Sequence, residues 1–375
     1  MATAKKPKAN DKSHEAIFGA YSPNIKSILN YAIWAPSAYN DQPWNIQVIS
    51  ETEFHLDLTK FETDIYNLRP MAQWTTIGMF IENAKIAATI KNLNIKYTVT
   101  DEKVVVKLIP VQSYKPDPLF PFIKSRSVNR YPYKRKRLNP EIQKEIESIL
   151  GEELEIHWFK SFTQRFKIST LLMQTTNTRL RIPETYDVHT NMIDCSKGHS
   201  QEKLPSASLG LSKFGTKILK WTLSSKKRNT MLMRLPGTTL VPQIELDLLP
   251  GLLSPAHFIV SLKPKESPRT IAEYIEAGCK MQRFWLTLTK HKMVMQPWFT
   301  TFIFPQYLKH NIQFTQDTKN TQRLSKKLHK KILDPNDIDL DDIIFTGRVG
   351  YPKKININRS TRKPLEDSIA SDPQT

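Results

Sequence analysis

Apolar positions recur at helical spacing at the start of the chain. Ile25, Ile28, Leu29, Ala32 and Ile33 share one face, and Pro36 stops that helix. Strand-like alternation follows over Asn45–Ile49 and Phe54–Leu58. A longer helix, roughly Trp74–Leu93, carries Ile77, Ile81, Ala84 and Ala88 on one stripe. Ile95–Val99 and Val104–Ile109 then read as a hairpin across Asp101-Glu102. This unit spells α-β-β-α-β-β. After a Pro-broken linker, Ser113–Pro121, the pattern predicts a helix from Pro140 to Leu150, a strand Leu154–Phe159 and a helix Thr163–Arg181. A strand Ala256–Leu262, a long helix Pro268–Lys292 with its Pro in the first turn, and a strand Ile343–Gly350 complete the pattern. Pro183–Pro255 reads as irregular, apart from a basic helix near Phe214–Leu232. Without regular βαβ alternation the expected class is α+β.

Composition narrows the function classes. Eleven Gly against 25 Pro argue against Gly-rich nucleotide loops, and two Cys exclude a disulfide framework. The charge is +19, and it is clustered: Met1–Lys12, Ile123–Arg137, Lys319–Lys331 and Arg348–Lys363 hold a net +22, leaving the remainder at about −3. Such clusters suit a polyanion, or a phosphate site plus solvated faces. The most apolar stretch, Ile244–Leu262, is broken by Glu245, Asp247, Pro250 and Pro255, so no spanning helix and no membrane partner are expected. With no signal-peptide pattern at the N-terminus, the cytoplasm is the expected location.

No dinucleotide fingerprint, P-loop, zinc-protease helix or nucleophile elbow occurs. The acidic run from Asp334 to Asp342 fails as a calcium loop for want of the central Gly and the closing Glu. His189, Cys195 and His199 are scattered, and no metal site is expected. Two segments stand out. In Ala35–Trp44, Pro36 fixes the backbone at a helix end, Ser37, Asn40 and Gln42 supply a hydroxyl and two amides, and Pro43-Trp44 adds an aromatic wall suited to a flat heteroaromatic ring. In Ser125–Arg130, Arg126 and Arg130 flank Ser127 and Val128, a candidate phosphate clamp.

Ala35-Pro36-Ser37-Ala38-Tyr39-Asn40-Asp41-Gln42-Pro43-Trp44 resembles the APS-x-x-N-x-QPW segment of FMN-dependent nitroreductases. Arg126-Ser127-Val128-Asn129-Arg130 is similar to that family's R-x-S-x-R phosphate motif, with Val128 where a hydroxyl is expected. Gly350-Tyr351-Pro352, then Arg359 and Arg362-Lys363-Pro364-Leu365, resemble its ending. The loop Met293–Trp298 resembles the one whose backbone lies near the flavin. The resemblance implies FMN contacts from Pro36, Ser37, Asn40, Gln42, Arg126, Ser127, Arg130, Arg359 and Arg362, with no catalytic side chain because the chemistry is borne by the flavin.

Here the APS segment precedes the arginine motif, the order of tandem, Acg-like nitroreductases. That order implies two half-domains forming an intrachain pseudo-dimer: 21–112, and 113–365 with an insertion at about 183–255. A flexible basic tail over 1–20 and a polar tail over 366–375 flank them. The implied activity passes a hydride from NAD(P)H through FMN to a nitroaromatic, quinone or related small-molecule acceptor. The alternative is an FMN-storing or sequestering protein without reductase turnover. The chain would be a monomeric pseudo-dimer or a homodimer, and a nucleic-acid partner is not expected because no reading motif accompanies the basic runs.

Overall fold

In the computed structural model, residues 23–196, 198–316, 318–355 and 358–370 are described; the tail expected over 1–20 lies outside them. The architecture is α+β. Helix α1 (Pro23–Ala32) leads into β1 (Asn45–Ser50), β2 (Glu53–Asp57), helix α2 (Met71–Thr89), β3 (Leu93–Val99) and β4 (Lys103–Pro110). These strands form an antiparallel sheet in the order β1-β2-β4-β3. Then come α3 (Pro140–Leu150), β5 (Leu154–Phe159), α4 (Phe162–Arg181) and α5 (Thr185–Met192). Two short parallel strands follow, β6 (Ile193–Asp194) and β7 (Leu204–Pro205), and next α6 (Lys213–Leu223), α7 (Lys226–Arg234) and a helical run over 240–253. The chain continues through β8 (Ala256–Leu262), α8 (Ile271–Lys290), β9 (Val294–Pro297), α9 (Thr300–Lys309), α10 (Lys319–Leu328) and β10 (Ile343–Gly350). The second sheet is also antiparallel, in the order β5-β8-β10-β9. One sheet is drawn entirely from residues before 112 and the other entirely from residues after it.

The core is organised by two long helices. Fifteen of the 19 residues of α2 are buried, and so are 12 of the 20 in α8. They cross where Gly78 meets Gly278, the pair whose missing side chains allow the backbones to touch. Cys279 Sγ donates to the Gly78 carbonyl at 3.2 Å, and Gln282 Nε2 to Asn83 Oδ1 at 2.6 Å. Arg283 reaches Glu82 at 2.8 Å and Asp117 at 2.7 Å. The crossing is therefore tight at its glycines and joined by polar contacts one turn along, although Gln282 Oε1 is buried without a partner among the described residues. β8 and β10 are buried along their whole length, as central strands covered on both faces must be.

Several expectations need correction. Pro183–Pro255 is largely helical: Ser212 and Ser225 are N-caps, accepting from the Gly215 and Arg228 N–H groups, so serines that read as loop punctuation start helices. The predicted basic helix is two helices, divided at Ser224-Ser225. Helix α8 begins after Pro268, at a capping box in which Thr270 and Glu273 exchange side-chain-to-backbone bonds. Helix α2 stops short of Leu93, because Asn92 turns left-handed at φ 52° and Leu93 opens β3. Met293–Trp298 holds a strand, β9, paired on β10. The chain end is docked as far as Ala370, whose N–H donates to the Ile46 carbonyl at 2.8 Å and partly covers the β1 edge.

Candidate functional site

Just past α1, which ends ahead of Pro36, the carbonyls of Ile33, Trp34 and Ala35 are left without helical partners. Two arginines from distant parts of the chain take them. Arg362 donates from Nε to Ile33 O at 2.8 Å, from Nη2 to Ala35 O at 2.7 Å and from Nη1 to Asn40 Oδ1 at 2.6 Å. Arg126 donates from Nη2 to Trp34 O at 3.3 Å, and its guanidinium lies 4.5 Å from the Trp285 ring centre. Arg359 completes the group, 5.3 Å over the Trp34 ring and donating to Lys124 O. Cations suit the negative end of a helix. Three together repel one another: burial, then Arg362 and Arg359, hold Arg126 well below the usual arginine range. Burial and Arg359 bring Arg362 down to about 10, with Asp41 the acid that opposes this. Arg126 is 5 % exposed, yet its Nε has no partner among the described residues.

The turn itself is strained. Tyr39, Asn40 and Gln42 have φ of 52°, 72° and 51°, three of the seven non-Gly residues with positive φ among those described. Asn tolerates that region, whereas an aromatic residue rarely adopts it. The turn is held from both sides. The Gln42 N–H donates to Ser37 Oγ at 3.1 Å, and the Lys363 N–H donates to Gln42 Oε1 at 3.0 Å. The Asn40 and Gln42 amides both donate to the Gln201 carbonyl, at 2.7 and 2.8 Å. Residues 200–203 are in turn laced to Ser360 and Thr361. Asp41 keeps contact with water, but protein crowds it so closely that desolvation pushes its carboxyl up to about 7, against the Ser37 hydroxyl and the Gln42 N–H.

Of the residues singled out by sequence, Pro36, Ser37, Asn40, Gln42, Arg126, Arg359 and Arg362 therefore come together. Arg130 does not join them. Val128 bridges to Met295, and the Asn129 N–H donates to Met295 O at 3.1 Å, so the backbone between the two arginines runs extended against β9. Four residues of extended chain span ~13 Å, and the two guanidiniums enter different surroundings. Arg130 keeps company with Tyr39, Tyr133, Arg348 and Arg179, and burial brings it down to about 10. Ser127 is half-buried, and its hydroxyl has no hydrogen-bond partner among the described residues.

Sequence reasoning missed this second polar group. Arg348 in β10 is 2 % exposed and fully employed, donating to Gln296, Pro250, Ser254, Arg130 and Tyr131 with its guanidinium 4.2 Å from the Tyr133 ring centre. His257 Nε2 meets the Gly251 carbonyl at 3.0 Å, and burial drops its pKa to about 3, so it is neutral. Tyr66 and His189 pair at 2.8 Å. Asp247 leaves Oδ2 buried and without a partner among the described residues, and burial lifts its carboxyl to about 7 despite Arg179 and Thr176. An acid with a raised folded-state pKa binds more protons folded than unfolded, so its stabilising contribution is present at low pH and is lost as pH rises from about 4 to about 7. Asn mimics the protonated acid. Asp247→Asn is thus expected to narrow the stability difference between about pH 5 and about pH 8, read from urea midpoints; an unchanged difference would remove Asp247 from that role.

Two open grooves lie elsewhere. One, of about 800 Å3, is lined by Lys134, Lys136, Arg137, Lys292 and Lys353 among others; the second, of about 640 Å3, by Glu82, Lys85, Asp117 and Arg283 among others. Neither is lined by residues 35–44. The first absorbs part of the clustered charge that the arginine group does not.

No protein-family model matches the sequence, and no curated protein matches it significantly. Among solved structures, the chain is similar to a nitroreductase-like family protein from Bacillus cereus, at 12% identity and a TM-score of 0.35, over 69% of this chain and 98% of that one. It is similar to a nitroreductase with bound FMN from Bacteroides fragilis at 12% identity and a TM-score of 0.33, over 66% and 95%. It is also similar to an FMN-dependent nitroreductase from Mycobacterium smegmatis in complex with NADPH, at 12% and 0.34, over 67% and 96%.

Proposed function

We propose that the chain binds FMN, with its phosphate at Arg126, Arg359 and Arg362, and acts as an FMN-dependent NAD(P)H oxidoreductase of the nitroreductase kind. The observation that carries this reading is the arginine group. Three cations from two distant segments of the chain gather on one helix terminus and repel one another, and the buried Arg126 Nε lacks a partner among the described residues. A doubly charged phosphate resolves both defects, since guanidinium forks match phosphate oxygens.

FMN, when bound, supplies the redox chemistry, taking a hydride from NAD(P)H and passing reducing equivalents to a nitroaromatic, quinone or related acceptor. This chain's residues would bind and orient. Trp285 holds the Arg126 fork, the Ile33 and Ala35 carbonyls aim Arg362, and the strained turn presents Ser37. Arg130, set apart beside Tyr39, is not assigned to the phosphate. The pseudo-dimer reading accords with two antiparallel sheets, one per side of residue 112, whose long helices cross at Gly78 and Gly278.

One observation favours the alternative of a flavin-binding protein without turnover. The amides of Asn40 and Gln42, expected at the cofactor, are spent on the Gln201 carbonyl, so part of the 183–255 segment occupies the turn. Reconstitution tests both. The purified chain mixed with FMN and desalted is expected to stay yellow, and anaerobic NADPH is expected to bleach it. A chain that bleaches is a reductase, and a yellow one that resists is a store. A colourless protein sinks both readings.

A further inference from the structure

Thirteen large apolar side chains stand exposed among the described residues, and nine of them lie between Phe162 and Leu249. Isolated exposed apolar residues are ordinary; a concentration of this kind marks an interaction surface. Within it, 213–234 carries seven Lys and Arg and no Asp or Glu. Helix α6 arranges them in two adjoining rows. Lys213, Lys217 and Lys220 are exposed at i, i+4 and i+7, and Phe214 and Trp221, 65 % and 52 % exposed, stand one helical position away at i+1 and i+8. Gly215 and Thr222 face the protein. The pattern continues in and beyond α7, where Met231 and Leu235 are 59 % and 48 % exposed beside Lys227 and Arg234. Of the seven cations, Lys226 alone pairs with a described carboxylate, Asp187 at 2.7 Å.

We infer that α6 and α7 form a docking face for an anionic phospholipid surface, with Phe214 and Trp221 entering the headgroup region and the lysines meeting lipid phosphates. A lysine row beside aromatic side chains on a short amphipathic helix is the chemistry of an interfacial helix. A second copy of this chain is the weaker fit, since a two-fold contact through this face would set seven cations against seven more. No helix of the described residues is long and apolar enough to cross a membrane. Surface binding needs no such helix, so it departs from the expectation of no membrane partner without requiring a span.

The test is sedimentation of the full chain with vesicles of phosphatidylcholine alone and of phosphatidylcholine with phosphatidylserine. The chain is expected to pellet with the anionic vesicles and to stay in solution with the neutral ones. At about fivefold per lysine, Lys217→Ala with Lys220→Ala is expected to weaken partitioning roughly 25-fold. Phe214→Ser is expected to weaken it further at unchanged melting temperature. If the double variant folds poorly, Lys227→Ala serves in its place, with about a fivefold loss. Equal binding to both vesicles, binding to neither, or full binding by the charge variants overturns the proposal. Capture of nucleic acid or an acidic protein while vesicles are ignored does so too.

Discussion

Gly278→Ala is expected to lower the unfolding free energy by about 3 kcal/mol or more. A Cβ on Gly278 would press into the Thr75 carbonyl, standing 2.9 Å from its carbon and 3.0 Å from Gly78 Cα. These are backbone atoms in the middle of a buried helix and have no rotamer with which to move away. The helices must separate, and separation also stretches the Gln282–Asn83 and Arg283–Glu82 contacts one turn along. Overpacking usually costs ~1–3 kcal/mol, and more when backbone must shift. The gain in helix propensity from Gly to Ala, about 1 kcal/mol, acts in the opposite direction and is too small to cancel it. Urea unfolding decides the matter: a Gly278→Ala midpoint equal to that of the parent would show the crossing to be slack. As a control, Gly237, whose added Cβ meets nothing nearer than 3.7 Å, is limited only by its φ of 81°, so Gly237→Ala is expected to cost less, on the order of 1–2 kcal/mol.

The glycine crossing was not legible in the sequence, because Gly78 and Gly278 are 200 residues apart and each looks like an ordinary weak point in a helix. Elements with strong local signals were legible. Leu154–Phe159, Ala256–Leu262 and Ile343–Gly350 appear with the bounds their apolar runs predict, and Pro140–Leu150 with the bounds set by its first-turn Pro and closing Gly151. Where local signals were ambiguous, tertiary context decided. Serines at 212 and 225 can end a loop or cap a helix, and only packing selects the cap. Thr270-x-x-Glu273 was a readable capping box that the Pro268 rule obscured. In the site, spacing alone treated Arg126 and Arg130 as a pair, whereas the bridge from Val128 to Met295 fixes an extended backbone that parts them. Arg348 reads in the sequence only as the start of a basic run; one basic residue inside an apolar strand looks like an edge charge until its five acceptors are placed around it.

Arg126→Met is expected to do two opposite things, and the pair of signs separates a binding residue from a structural one. In the protein without ligand, Arg126 is buried, repelled by Arg362 and Arg359, and held by a single hydrogen bond of 3.3 Å with Nε unpartnered. Replacing a buried, poorly paired charge by an apolar side chain of similar length is commonly neutral or stabilising by ~1–4 kcal/mol, and Met retains a favourable contact with the Trp285 ring. Thermal unfolding of the ligand-free variant should therefore show equal or greater stability. FMN affinity should fall, because a charged hydrogen bond to phosphate worth ~1.5–3 kcal/mol disappears, a loss of roughly 10–100-fold in Kd. Arg362→Met makes the contrast. Its guanidinium holds Ile33, Ala35 and Asn40 together, so it is expected to lose stability and flavin affinity alike. Titration of FMN by flavin fluorescence, with melting curves of both ligand-free variants, reads all four quantities. If Arg126→Met weakens the ligand-free fold and leaves FMN affinity unchanged, Arg126 is a structural residue and the phosphate lies elsewhere. If it stabilises the fold and abolishes uptake, its electrostatic strain is maintained for the sake of the ligand, as expected where stability and function compete at one side chain.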